Sequence, residues 1–137
     1  MRFILLLLAL TSCVNPPLSV FTEYISVETF PSYRIGTPDP RLYCPYFGEK
    51  IHISWATPQD ICLEGLEIRL FLRFGNGEDE EFTYPLLERS GTLIFRLLND
   101  AYSEKQGVFT YKIELYSGET LLSTWLHQLW AERIILN

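Results

Sequence analysis

Apolar and polar residues alternate along most of this chain. In the stretch opening at Glu49, Ile51, Ile53 and Trp55 share one parity while Lys50, His52 and Ser54 share the other, the period of two expected of a strand with one buried face. Leu66, Ile68, Leu70, Leu72 and Phe74 repeat the pattern against Glu67, Arg69, Phe71 and Arg73, and the run stops at Gly75-Asn76-Gly77, a reversal signal of the Asn-Gly kind. Phe82 and Tyr84 carry the returning strand to Pro85. Further strands are predicted over Thr92–Leu98 and Val108–Tyr116, the latter with Phe109, Tyr111, Ile113 and Leu115 on one face. Ser117-Gly118-Glu119 then turns the chain into a last strand from Thr120.

Upstream, Ser19–Val27 reads as a first strand. Thr29–Gly48 carries Pro31, Pro38, Pro40 and Pro45 with Gly36 and Gly48, which predicts an irregular segment and no helix. Two stretches compete with an all-β reading. Leu97–Gln106 has the composition for a helical turn around Asn99-Asp100, and Leu121–Leu136 fits either an amphipathic helix or a terminal strand with a bulge near Trp125. The antiparallel neighbours to which the chain must return favour the strand. Short strands separated by turn signals predict an all-β antiparallel sandwich or barrel.

Composition sharpens this. The 137 residues are 47% hydrophobic, 15% aromatic and 20% charged, which suits one packed domain and not a disordered chain. Seventeen acidic residues against eleven basic ones give a net charge of -6, and no Lys/Arg run reverses it locally. Such a surface repels phosphate backbones, so no nucleic-acid partner is expected.

The first thirteen residues, MRFILLLLALTSC, place Arg2 before an apolar run from Phe3 to Leu10, the order of an export signal, and the run is too short to span a bilayer. The sequence Leu10-Thr11-Ser12-Cys13 resembles the lipobox of bacterial lipoproteins. That resemblance implies a signal over residues 1–12, cleavage before Cys13 and lipidation of its thiol; a buried first strand or an ordinary cleaved signal are the competing readings. Residues 13–19, with Asn15, Pro16 and Pro17, suit a short tether, and residues 20–137 form a single domain. Val14 follows the cysteine in place of Asp, which in the lipoprotein sorting pattern implies the outer membrane more than the inner.

With Cys13 committed to lipid, Cys44 and Cys62 remain as an even pair in an oxidising envelope, and one structural disulfide is expected. There is no C-x-x-C motif, and His52 and His127 lie far apart in sequence without a carboxylate motif beside them, so a redox pair or a metal site is the weaker reading.

Ile51-His52-Ile53-Ser54-Trp55 with Pro58, the long strand and hairpin after it, Glu81-Phe82-Thr83-Tyr84-Pro85, Leu93-Ile94-Phe95 and Gly107-Val108-Phe109-Thr110-Tyr111 are together similar to the strand order of fibronectin type III and related immunoglobulin-like domains. The resemblance covers Gly48–Asn137. It implies a sandwich in which Trp55 is the core tryptophan and Tyr111 the sixth-strand tyrosine bonded to the preceding corner. It transfers a fold and no activity.

The chemistry-bearing signatures are missing: no Gly-x-Ser-x-Gly elbow, dinucleotide or phosphate-binding glycine loop, or His-Glu-x-x-His helix occurs. No catalytic residue, metal ligand or cofactor is therefore assigned. His52 reads as a solvated outward side chain, and His127 as a core donor or part of a patch. Glu78-Asp79-Glu80-Glu81 reads as a solvated hairpin tip that discourages edge association, lacking the alternate ligand spacing of a calcium loop. Aromatic enrichment is the remaining lead. Tyr33, Tyr43, Tyr46, Trp125 and Trp130 are the candidates for an exposed binding patch. The expected function is a non-enzymatic, membrane-tethered module that contacts a protein partner in the bacterial envelope. The alternatives are a carbohydrate- or peptidoglycan-binding module, a small inhibitor or chaperone that pairs through an edge strand, and, weakest, an enzyme.

Overall fold

A computed structural model describes residues 16–43 and 45–134. Strand β1 spans Leu18–Ile25, β2 Gly48–Ala56, β3 Leu66–Phe74, β4 Asp79–Pro85, β5 Ser90–Leu98, β6 Val108–Ser117 and β7 Thr120–Leu126. Helix α1 covers Pro31–Ile35 and α2 Asn99–Lys105. All pairings are antiparallel, in a three-stranded sheet ordered β1-β2-β5 and a four-stranded sheet ordered β4-β3-β6-β7. The two sheets pack as a sandwich, as the alternation predicts, of the all-β immunoglobulin-like class that the resemblance implies.

The core comes from the predicted parities. Ile51, Ile53, Leu66, Ile68, Leu70, Leu72, Ile113 and Leu115 are each at most 1% exposed and fill the space between the sheets. Each such side chain stabilises by roughly 1.5–3 kcal/mol relative to full exposure. Trp55 packs against this core and lies flat over Gly91, its cross-strand partner; a Cβ at residue 91 would fall 2.7 Å from the indole. The indole N–H donates to the Glu88 carbonyl at 3.0 Å. At the other end of β2, Gly48 has φ +136 and a Cβ there would collide with the Leu97 carbonyl at 2.2 Å, so glycine is required where the chain enters the sheet.

Four expectations are corrected by the structure. Thr29–Gly48 is not free of helix: Pro31 opens α1, where a missing N–H costs nothing, and Gly36 closes it at φ 67 in the left-handed region. Phe109 does not share the inward face with Tyr111. It is the extra residue of a bulge between Arg73↔Thr110 and Phe74↔Val108, and it stands 58% exposed. The last strand is indeed a strand, but its irregularity falls at Leu121–Ser123, before Trp125, and β7 stops at Leu126, so His127 lies beyond it. Tyr111 is buried on β6, yet its hydroxyl lies 3.1 Å from Thr22 Oγ1 on β1, joining the two sheets and not the preceding corner.

Candidate interaction surfaces

The connection from β1 to β2, residues 26–47, is a small structure of its own. Asp39 caps the turn Pro40–Leu42 by accepting from the Arg41 N–H at 3.0 Å, receives the Ser32 hydroxyl at 2.7 Å and pairs with the Arg41 guanidinium at 2.8 Å. The Arg41 side chain, then the Ser32 hydroxyl, hold the Asp39 carboxyl well below the usual carboxylate range. Arg41 in turn stacks over Phe30, which is buried and meets Tyr46 edge-on. This knot turns other apolar side chains outward: Tyr33 is 52% exposed, Ile35 72% and Tyr43 86%. Tyr33 and Tyr43 line one shallow groove of about 340 Å³ with Gly36, Thr37, Pro38 and Leu42.

The five predicted patch residues do not converge. Tyr33 and Tyr43 share that groove, while Tyr46 is half-buried between Phe30 and Lys50. Trp125 points into the seam between β1 and β7, beside Thr22, Tyr24, Tyr111 and His127. There, His127 Nδ1 lies 3.3 Å from both the Thr110 hydroxyl and the Leu129 N–H, which commits it as an acceptor. Trp130 lies on the outer face of the four-stranded sheet. Ile35 was missed by the sequence reading because an isolated isoleucine in a proline-rich segment carries no periodic signal.

Trp130 belongs to a C-terminal tail, His127–Ile134, that crosses that sheet. Arg73 stacks on its indole at 4.1 Å and donates to the Ala131 carbonyl at 2.5 Å. Lys112 sits between the Phe71 ring at 4.6 Å and the Trp130 ring at 5.5 Å, and pairs with Glu132 at 3.3 Å. Arg133 reaches Asp79 on β4 at 2.9 Å. The tail thereby touches β6, β3 and β4 in turn. It also changes the reading of the acidic run: Asp79 is paired with Arg133, while Glu78 and Glu80 are both bonded to Lys105 of α2, so the run is braced and not simply solvated.

His52 does face outward, but it is stacked on Phe21 at 4.4 Å and bonded to Glu23 at 2.8 Å. Glu49, unremarked in the sequence, is 2% exposed with its carboxylate accepting from the Val108 N–H; burial pushes its carboxyl up, against the lowering effect of that bond. Cys62 is exposed and has no disulfide partner among the described residues; its carbonyl accepts from the Ser117 hydroxyl at 3.3 Å, near the end of β2 opposite Gly48. Cys13 and Cys44, and with them the lipid and disulfide expectations, lie outside the described residues. Among the described residues no helix is long and apolar enough to cross a membrane, and no cluster of His, Cys, Asp and Glu could hold a metal ion.

Compared with family models, with curated proteins and with solved structures, the chain returned no match in any of the three.

Proposed function

We propose that this chain is a membrane-tethered, non-enzymatic interaction module of the bacterial envelope, anchored through lipid on Cys13, with the outer membrane as its expected location, and meeting a protein partner with the pole opposite the anchor. One observation carries the reading. β1 starts at Leu18, five residues after Cys13 in sequence, and the exposed Tyr33, Ile35 and Tyr43 stand on the segment that follows its other end. The separation along β1 is about 23 Å at the usual rise per residue. Rigid aromatic side chains, exposed together and held by the Asp39 knot beneath them, suit the centre of a protein contact, because little side-chain freedom is lost when they are covered.

The test is made on the native protein in its own membranes. A detergent-extracted mass equal to Cys13–Asn137 plus acyl chains is expected, with release to the soluble fraction in Cys13→Ser. A photo-crosslinker at position 43 should form one discrete adduct that Tyr33→Ser with Ile35→Ser abolishes, while one at position 87 on the opposite pole should not. A chain beginning at Met1 without lipid would overturn the anchor. Retention on insoluble peptidoglycan without a protein adduct would replace the partner by a glycan.

A further inference from the structure

β5 is an edge strand of the three-stranded sheet. Thr57 donates to the Arg89 carbonyl at one end of the β2–β5 pair and Asn99 to the Phe47 carbonyl at the other, both at 2.8 Å. Hydrogen-bonded pairs alternate along an antiparallel register, so Gly91, Leu93, Phe95 and Leu97 turn their main-chain groups toward β2. The N–H and C=O groups of Thr92, Ile94 and Arg96 therefore point away from the sheet. β5 has β2 as its one neighbour in that sheet, and the one bond to these outward groups among the described residues is a long one, from Arg96 Nη1 to the Ile94 carbonyl at 3.4 Å.

The other edges are flanked or guarded. β1 and β7 lie beside each other across the opposite seam, joined there through side chains by the Thr22–Tyr111 bond. β4 carries Asp79, Glu80 and Glu81 and ends in Pro85, which discourages pairing. β5 has nine residues, no proline and one charge, Arg96.

Two features say what would lie along it. Between β5 and β4 opens an apolar recess of about 390 Å³, lined by Trp55, Tyr84, Leu86, Leu87 and Leu93 beside Gly91. At the other end of the strand, Arg96 stands directly across from Lys50 on β2, and neither cation has a carboxylate partner among the described residues. Like charges opposed on neighbouring strands are destabilising, and an anion beside them relieves the repulsion. On its other side Lys50 has Glu23 of β1 across from it, a carboxylate bonded to His52, so Arg96 is the cation with no acid opposite it in the sheet.

We infer that β5 receives an extended segment of another protein as an added strand, with an apolar side chain in the recess beside Gly91 and an acidic side chain against Arg96 and Lys50. Main-chain bonds to Thr92, Ile94 and Arg96 supply the affinity, and the recess and the basic pair fix register and direction. This edge is remote in sequence from Tyr33–Tyr43, so either surface can fail without the other.

The probes are three acetylated peptides of alternating valine and threonine: one with a single glutamate, one with lysine in its place, and the glutamate peptide N-methylated at alternate amides. In the free protein, amides of Thr92, Ile94 and Arg96 should exchange quickly while those of Leu93 and Phe95 are protected. The glutamate peptide should slow the first set and bind about tenfold more tightly than the lysine peptide at low salt. Ile94→Pro removes an N–H that the sheet does not use and should abolish binding. Arg96→Glu should invert the preference between the two peptides. No slowing at these amides with millimolar peptide, or equal binding of the N-methylated probe, would overturn the inference. Dimerisation of the free protein that Ile94→Pro abolishes would also overturn it, by making a second copy the occupant.

Discussion

The two sheets of this sandwich finish their outer faces differently. On the four-stranded sheet the cations are sandwiched: Lys112 between Phe71 and Trp130, Arg73 on Trp130, Arg69 on Tyr116 at 4.1 Å, each also held near a carboxylate. On the three-stranded sheet the outer face holds the Phe21–His52–Glu23 contact and then leaves Lys50 and Arg96 opposed. Residues 130–133 of the C-terminal tail dress the face of the four-stranded sheet. Equal sequence patterning on the two sheets thus yields one face committed to internal contacts and one with bonding capacity left over.

The largest effect belongs to what the faces share. Ile113 is fully buried between the sheets, so Ile113→Ala should cost about 2–5 kcal/mol in urea unfolding. Trp130→Ala tests the dressed face. It removes the ring that two cations share, and a loss of about 1–2 kcal/mol is expected, with faster exchange of β3 and β6 amides. Phe21→Ala is the matching change on the bare face; Phe21 is 57% exposed, and a loss below about 1 kcal/mol is expected. Equal losses would erase the contrast.

Acid and base should separate two further regions. Asp39, held low by Arg41 and Ser32, contributes stability above the unfolded carboxyl value of about 4, and that contribution is lost as pH falls through its folded value. Glu49, raised by burial, has the opposite sign: its contribution is complete below the unfolded value and is lost as pH rises through the folded one. Melting temperature against pH should therefore lose part of its acid-side fall in Asp39→Asn, and part of its decline toward neutral pH in Glu49→Gln. Smallest of all, Cys62→Ser should shift stability by less than about 0.5 kcal/mol if the exposed thiol is free. A loss of about 2–5 kcal/mol would instead report the bridge to Cys44 expected from composition.

What the sequence made legible follows from where the physics is local. Parity alone located the strands and the inward rows of β2 and β3, because burial of one face enforces a period of two. It failed at Phe109, where an extra residue changes the parity for a reason that lies on the partner strand. Pro31 misled as a helix breaker, since its effect depends on whether it falls first or later in a turn. The aromatic candidates were singled out as a class, but their dispersal to four places depends on loop paths that no single residue encodes. Glu49 shares the inward parity of Ile51 and Ile53, but its charge argued against that placement until the fold brings the Val108 N–H to its carboxylate.

The tail across the four-stranded sheet also has a consequence in time. The three-stranded sheet can be assembled from residues up to Leu98, but its neighbour needs β7 and then the residues beyond it. Because Arg133 joins Asp79 over more than fifty positions of chain, that clasp closes late, after slow long-range pairing. A chain still being made would hold Phe71, Arg73 and Lys112 uncovered until Trp130–Arg133 had been added, so the arrival of that segment should decide whether a folded molecule or a sticky one results.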